Sequence, residues 1–204
     1  YYVSGSLDIT NEELYYDVNI LGYSDRNEQR AIFEAITPIY LDLQNDTILD
    51  IGCGTGDYYA YIEEVLGFKR PHYTGIDYNE DLIKIAQQKF KEVSKFFEIA
   101  NSTDYVNTFD WVIASGIFNI KYYKEDTDKH LFTTINKMLL MANKGISFNI
   151  ITKQLTEELD NEGEWIIYDP SSILNNLMAI YPEYQVIVNY NYLDGDCTFQ
   201  IFKH

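Results

Sequence analysis

Short apolar runs and segments of helical period alternate along the chain. The apolar runs are too short for helices, and each predicts a buried strand. These strands are expected at 47–51, 72–77, 95–100, 109–115 and 145–151. The intervening segments carry apolar residues three and four positions apart, which is typical of amphipathic helices. These helices are expected at 26–43 with a kink at Pro38, at 57–68, from Asn79 to about 94, and at 124–142.

The C-terminal part departs from this alternation. Asp169 and Pro170 predict the start of a helix that runs to about residue 181. Two strands follow, near 184–192 and 197–203, with Asp194-Gly195 as a hairpin turn between them. Strands that alternate with helices form a parallel sheet covered on both faces. The pattern therefore predicts an α/β fold with a doubly wound, seven-stranded sheet that is mostly parallel and carries a C-terminal antiparallel hairpin strand.

Neither a linker nor a repeat interrupts the pattern. The chain has 204 residues, which is within the usual size of one domain. We expect a single domain over 1–204, with an N-terminal cover and helix in 1–45 and the sheet-containing core in 46–204. No apolar run reaches the roughly 18–20 residues of a membrane-spanning helix, so no membrane partner is expected.

Charge narrows the range of partners further. Lysine and arginine number 15, against 32 aspartates and glutamates, which gives a net charge of −17. Nucleic-acid binding depends on basic side chains that neutralise phosphates. The lysines of the third predicted helix are spaced among acids rather than gathered in a patch. We therefore expect no nucleic-acid partner.

The cysteines and histidines are sparse and scattered. Cys53 and Cys197 lie far apart in the sequence, so they form neither a disulfide framework nor a metal-binding pair. His72, His130 and His204 are not spaced as ligands of one metal ion. These features predict no metal site and favour a reduced, cytoplasmic setting.

Candidate chemistry is concentrated in the segment ILDIGCGTGDYY, residues 48–59. A strand ends near Asp50, three glycines follow at alternate positions, and a helix then begins. Glycine lets the backbone turn sharply and approach a ligand, and ligands bind beyond the carboxyl ends of strands in such sheets. The dinucleotide fingerprint matches at Gly52 and Gly54 but has Asp57 as its last residue, where a carboxylate opposes a diphosphate. The loop therefore favours a ligand that has a cationic amino group and no phosphate.

Three segments together resemble class I S-adenosylmethionine-dependent methyltransferases. They are the strand and loop DIGCGTG, the acid that ends the next strand in YTGIDYN, and FDWVIASG. The resemblance covers about residues 20–204 and is closest to small methyltransferases without a named substrate class. It implies a Rossmann-like form of the sheet, S-adenosylmethionine as cofactor and S-adenosylhomocysteine as product.

The resemblance also implies a cofactor site. Asp77 would accept hydrogen bonds from both ribose hydroxyls, since each carboxylate oxygen can take one O–H. Tyr78 would pack near the adenine. Asn101 stands where the family often has an acid that binds the adenine amino group, so the contact falls to an amide oxygen. The predicted cofactor-binding residues are Asp50, Gly52, Cys53, Gly54, Gly56, Asp77, Tyr78, Asn101, Ser102 and Ser115.

The sequence identifies the residues that would bind the methyl acceptor less specifically than those of the cofactor site. Transfer from a sulfonium needs alignment, and it needs a general base only when the acceptor must lose a proton. Residues 1–30 and 152–170 are expected to cover the open end of the sheet. No catalytic residue is assigned, although Tyr168 and Asp169 are considered as a base. The predicted substrate residues are Tyr23, Arg30, Asn119 and Tyr168, with Gln29, Asn149 and Asp169 also considered for the pocket.

The expected function is methyl transfer from S-adenosylmethionine to an unidentified small-molecule acceptor. A non-catalytic S-adenosylmethionine-binding regulatory module is the alternative, and turnover distinguishes the two. A nicotinamide oxidoreductase is disfavoured by Asp57. A purely structural domain would keep every ligand affinity unchanged when Asp77 is replaced.

Overall fold

The computed structural model describes residues 17–119, 127–152 and 165–203. Its seven strands form one sheet in the order β3-β2-β1-β4-β5-β7-β6. The first five strands run parallel, and β7 lies antiparallel between β5 and β6. The predicted α/β sheet with one antiparallel strand is confirmed. The strands are β1 (Thr47–Ile51), β2 (His72–Asp77), β3 (Phe97–Ile99), β4 (Phe109–Ala114), β5 (Ala142–Ile151), β6 (Gln185–Asn189) and β7 (Asp196–Phe202).

Among the described residues, five α-helices accompany the sheet, and short 3₁₀ turns lie at Val18–Leu21 and Lys91–Phe96. Side-chain caps set three helix starts, because Asp25, Asn79 and Asp169 each accept a hydrogen bond from a free backbone N–H of the first turn. The helices are α1 (Arg26–Ile36), α2 (Asp57–Glu64), α3 (Glu80–Lys89), α4 (Thr127–Met141) and α5 (Pro170–Ile180).

Several of the predicted helices end earlier in the structure than in the prediction. The first helix stops at Ile36 rather than residue 43, because Thr37 precedes Pro38 and takes an extended conformation. The helix predicted through residue 94 ends at Lys89, and a 3₁₀ turn follows it. Parts of three predicted segments lie outside the described residues. They are 1–16 of the N-terminal cover, 124–126 of the fourth helix and 153–164 of the loop that follows the fifth strand.

The core lies on both faces of the sheet, because successive side chains of a strand point to opposite sides. Leu49 and Val112 pack on the face that also holds α4 and α5. Ile48 and Ile113, the adjacent residues, pack on the face that holds α1, α2 and α3.

Gln200 of β7 fixes the end of α1 over the sheet. Its buried amide donates to the carbonyl oxygens of Ala35 (2.9 Å) and Thr37 (3.0 Å), and its oxygen accepts from the Ile39 N–H (3.1 Å). This anchor fixes the C-terminal end of α1 and the residues that follow it against β7. Among the described residues, no helix combines the length and the apolar character that crossing a bilayer requires.

Candidate functional site

A cavity of about 240 Å³ lies at the carboxyl ends of β1, β2, β4 and β5. Its floor includes the glycine loop, Asp77 at the end of β2 and Ser115 after β4. Residues 20–24 of the N-terminal segment and 193–194 before β7 also contribute to its lining. The topology therefore brings distant parts of the sequence to one end of the sheet.

The glycine loop is held by β2 and by close neighbours. The N–H groups of Gly52 and Cys53 both donate to the carbonyl oxygen of Ile76, at 2.8 and 3.1 Å. Gly54 has a φ of +54°, and a Cβ there would lie 2.7 Å from Leu21 Cδ2. A side chain at this position meets both backbone strain and a steric clash, so the loop requires glycine here.

Asp77 is a buried carboxylate in a fixed orientation. Its Oδ2 accepts from the Gly54 N–H (3.1 Å) and its Oδ1 from the Asn79 N–H (2.8 Å). Burial raises its pKa above the ordinary range. A carboxylate offers about four acceptor sites, so these bonds leave capacity for a hydroxyl donor. These oxygens, beside a glycine cradle, fit the vicinal diol of a ribose.

Asp50 is the second buried acid near the loop. Its Oδ2 accepts from the Tyr73 hydroxyl at 2.6 Å. Burial, and then the negative charge of Asp77, raises its pKa to about 7. A cationic ligand group would favour the ionised form. Asp50 therefore fits the charge of an S-adenosylmethionine methionine end.

Asp57 does not act as the free carboxylate that the loop pattern implied. It forms a buried ion pair with Lys89, and it accepts from Gln29 Nε2 at 2.8 Å. Arg26 Nη1 lies 3.9 Å away. Its charge is thus balanced within the protein, although Asp57 also lines the cavity. Gln29 contacts Asp57 and does not line the cavity.

Six of the ten predicted cofactor residues line the cavity, and four do not. Gly56 packs instead against the rings of Phe90 and Phe97. Tyr78 is 54% exposed, and Asn101 is exposed with its oxygen bonded to the Thr103 N–H (3.0 Å). The six residues are Asp50, Gly52, Cys53, Gly54, Asp77 and Ser115; the four are Gly56, Tyr78, Asn101 and Ser102. Their roles in cofactor binding stay predictions.

Two of the four predicted substrate residues line the cavity. Tyr23 Oη and Ser115 Oγ share a hydrogen bond of 2.8 Å. Asn119 also lines the cavity, and its Oδ1 accepts from the Ile151 N–H (3.0 Å). Arg30 is exposed and does not line it. The structure thus places Tyr23 and Asn119, but not Arg30, in the cavity lining, and their roles in substrate binding stay predictions.

The residues considered as a base do not reach the cavity. Tyr168 is buried, its hydroxyl donates to the Phe118 carbonyl oxygen (3.2 Å), and burial raises its pKa to about 12. Asp169 caps α5 by accepting from the Ser171 N–H (3.0 Å). Each residue is engaged in holding the fold.

Asp196 is a cavity residue that the sequence interpretation missed. It is 6% exposed and is held by the side chains of Asn149 and Tyr192. Burial raises its pKa to about 6. The available signal was an acid directly after the Asp194-Gly195 turn, which was interpreted as hairpin chemistry alone. Within the described ranges, no group of three His, Cys, Asp or Glu side chains could hold a metal ion.

The sheet order, the glycine loop and Asp77 define a Rossmann-like fold of the class I methyltransferase type. A family model described as a methyltransferase domain matches residues 42–187, and the chain belongs to this family. The resemblance to class I S-adenosylmethionine-dependent methyltransferases is thereby confirmed, and S-adenosylmethionine is the cofactor of this class.

Curated relatives and a solved structure agree with this family. A Mycobacterium tuberculosis protein, assigned provisionally as a methyltransferase, is 33% identical over 109 residues, 52% of this chain and 63% of its own length. The malonyl-[acyl-carrier protein] O-methyltransferase of Bacillus cereus is 28% identical over 131 residues, 58% of this chain and 46% of its own. The chain thus spans less than two thirds of these relatives.

The fold is shared with magnesium protoporphyrin IX methyltransferase from Synechocystis, whose structure contains bound S-adenosylhomocysteine. The two chains superpose with a TM-score of 0.69 at 15% identity, over 100% of this chain and 96% of the other. At this identity the similarity is one of fold.

Proposed function

We propose that this chain transfers the methyl group of S-adenosylmethionine to a small-molecule acceptor. The observation that carries the proposal is that one cavity joins the Asp77–Gly54 pair to the polar groups after β4 and on β5. The first part fits an adenosyl ribose, and the second leaves room for an acceptor. The acidic net charge of −17 disfavours a nucleic-acid acceptor.

The mechanism needs little chemistry from the protein. S-adenosylmethionine supplies a methyl group already activated by a sulfonium. Asp77 would hold the ribose, Asp50 and the loop the methionine end, and Ser115 would border the reacting centre. Residues 20–24 line one side of the cavity and would limit the access of water. Catalysis then follows from proximity and in-line alignment.

The acceptor and the setting are part of the same proposal. The name of the Bacillus relative specifies a carrier-protein acceptor, whereas the cavity here, of about 240 Å³, favours a small molecule. A reducing, cytoplasmic setting is also proposed, and the buried free thiols of Cys53 and Cys197 support it.

Thermal unfolding with added ligands tests the cofactor. S-adenosylhomocysteine at about 100 times its dissociation constant adds about 2.7 kcal/mol to stability. Each kcal/mol moves the midpoint by roughly 2–4 °C in a chain of this size, so a rise of about 5–10 °C is expected. A rise with NAD alone would contradict the proposal. Turnover of an acceptor distinguishes an enzyme from a non-catalytic binding module.

Replacement of Asp77 tests the site itself. Asp77→Ala removes the ribose acceptor, so S-adenosylhomocysteine affinity should fall by about 1.5–3 kcal/mol, or roughly 10- to 150-fold. Isothermal titration calorimetry measures this change. Glu80→Gln is the matched control, because Glu80 is an exposed acid on the following helix. Equal affinities for Asp77→Ala and the control would reject the assigned role.

A further inference from the structure

We propose that the methyl acceptor is a small cationic amine and that Asp196 is the residue that binds its nitrogen. This inference rests on the proposed function and specifies the substrate class of the same cavity. It is carried by the position of Asp196, by the groups that hold it, and by the charges of the surrounding lining.

Asp196 lies one side chain away from the loop after β4, which the proposed function places beside the methyl group. It begins β7 and pairs with Ile151 at the end of β5. Asn149 bridges this acid to the loop after β4: its Oδ1 accepts from the Gly116 N–H (2.8 Å), and its Nδ2 donates to Asp196 (3.0 Å). One side chain thus separates Asp196 from the Ser115-Gly116 segment.

The groups that orient Asp196 leave its charge in place. Asn149 Nδ2 lies 3.2 and 3.0 Å from its two oxygens, and the Tyr192 hydroxyl donates to Oδ1. Tyr192 is itself fixed by a 2.7 Å hydrogen bond with Thr198 Oγ1. All these donors are neutral, so they position the carboxylate without balancing it.

Two other buried acids are balanced by lysine, whereas Asp50 and Asp77, assigned above to the cofactor, have no lysine partner among the described residues. Asp46 pairs with Lys144, and Asp57 pairs with Lys89. Asp196 has no lysine or arginine ion-pair partner among the described residues. Burying an unbalanced charge is costly, and a cationic ligand at this position would remove the cost.

The rest of the lining favours a cation over an anion. Glu28 and Asp194 also line the cavity, and its described lining contains no lysine, arginine or histidine. Tyr23 and Trp165 contribute aromatic rings, whose faces attract cations. An acceptor that carries a carboxylate would be repelled, whereas an ammonium group would be attracted.

Asp196 acts as the proton acceptor in the proposed reaction. The ammonium form of the amine gives one proton to the Asp196 carboxylate and becomes a nucleophile. A bond forms between its nitrogen and the methyl carbon, the carbon–sulfur bond breaks, and that electron pair remains on sulfur in S-adenosylhomocysteine. The product is an N-methylammonium ion, and the proton passes from Asp196 to solvent. Burial raises the pKa of Asp196 to about 6, which makes it a better base than an ordinary aspartate.

Matched probes test the inference by binding. The protein is saturated with S-adenosylhomocysteine, and calorimetry measures the affinities of butylamine and 2-phenylethylamine against 1-butanol and 2-phenylethanol. At least one amine should bind at least tenfold more tightly than its alcohol at about pH 7.5. Asp196→Asn should abolish that preference and change S-adenosylhomocysteine affinity less than about twofold. Glu183→Gln, which removes an exposed acid before β6, should keep the preference.

The possible outcomes separate the two proposals. Failure of S-adenosylhomocysteine to bind overturns the proposed function. Binding of S-adenosylhomocysteine without any amine preference, or a preference that survives in Asp196→Asn, overturns the inference and leaves the methyltransferase proposal standing.

A pH series supplies a second test should Asp196→Asn not fold. Amine affinity of the unaltered protein should fall as the pH drops through about 6, because Asp196 becomes protonated. Tyr192→Phe removes a donor to the carboxylate and should move this midpoint to higher pH. Four other titratable groups interact electrostatically with Asp196: Glu28, Tyr23, Tyr192 and Cys197. Burial raises the pKa values of the two tyrosines and the cysteine above their ordinary range, so these three do not titrate near pH 6. A midpoint that is unchanged in Tyr192→Phe contradicts the inference.

Discussion

Asp77 and Asp196, like Asp50, are buried carboxylates that face the cavity and are held by neutral donors rather than by lysine. Asp77 is held by the backbone N–H groups of Gly54 and Asn79, and Asp196 by amide and hydroxyl groups. A neutral donor fixes the direction of a carboxylate but leaves its charge available to a ligand. This separates them from Asp57, whose charge is already balanced by Lys89.

Gly54→Ala should destabilise the protein at the level of one residue. The left-handed backbone costs roughly 1–2 kcal/mol for a residue with a Cβ. The clash with Leu21 adds about 1 kcal/mol or more, since overpacking costs typically 1–3 kcal/mol. Chemical denaturation should therefore show a free energy of unfolding lower by about 2–4 kcal/mol.

Gly67→Ala is the matched control for this loss. Gly67 has a φ of +70°, and a Cβ there would meet nothing within 4 Å. Its replacement should show only the backbone cost of about 1–2 kcal/mol. Equal losses at the two positions would mean that the contact between Gly54 and Leu21 contributes nothing.

Among the secondary-structure elements, the strands were the most predictable, because a buried strand of a parallel sheet is a continuous apolar run. The ends of helices were less predictable. Helix α1 stops before Pro38, and β5 begins at Ala142 because pairing with Phe109 extends it beyond its apolar run. These boundaries depend on contacts with other parts of the chain.

The same distinction applies to the candidate site. Asp77 could be predicted because it ends the strand that follows the glycine loop in the sequence, and each of these two segments is recognisable from local sequence. Asp196 could not be predicted as a cavity residue. Its partner Asn149 lies 47 positions away in the sequence, and only the pairing of β7 with β5 brings the two together. Asn101 is predicted near the adenine only from its position after the third strand. In the structure its side-chain oxygen instead accepts a hydrogen bond from the Thr103 N–H in a local turn.

The contact between α2 and α3 provides a prediction at the level of elements. Lys89 at the end of α3 pairs with Asp57 at the start of α2, and both side chains are about 95% buried or more. Lys89→Met would leave a buried charge unbalanced, which costs roughly 3–5 kcal/mol. A loss near the lower end is expected, because Arg26 remains 3.9 Å from Asp57. Urea unfolding measures it.

A double variant distinguishes loss of charge balance from loss of packing. In Lys89→Met with Asp57→Asn both charges are absent, and Gln29 can still donate to the amide oxygen at position 57. Most of the lost stability should return, as expected for residues that interact directly. A double variant as unstable as Lys89→Met alone would show that the ion pair is not the cause.

For the whole molecule, acidity and ligand charge are connected. A protein of net charge −17 attracts cations at long range and weakens its own compact state by self-repulsion. The cavity concentrates this effect, because Asp50, Asp77 and Asp196 are buried around it. A cationic cofactor or acceptor would reduce the repulsion on binding. Ligand binding and stability should therefore depend on pH together.

The stability of the unliganded protein should fall as the pH rises from about 4 to about 7. Burial raises the pKa of Asp50 to about 7 and that of Asp196 to about 6. Both values exceed the roughly 3.9 of an unfolded aspartate, so in this interval the folded protein holds more protons than the unfolded chain. This contribution is fully present below about pH 4 and is lost above about pH 7. Urea unfolding at about pH 5, 6, 7 and 8, at constant ionic strength, measures it.

Asp50→Asn shows whether these carboxyls cause the pH dependence. The amide has no proton to lose in this range, and its oxygen can still accept from the Tyr73 hydroxyl. Its free energy of unfolding should change less between about pH 5 and 8 than that of the unaltered protein, with the largest gain above pH 7. A curve for the unaltered protein that is flat or rises over this interval would contradict the raised pKa values. A slope that persists unchanged in Asp50→Asn would assign the effect to other groups.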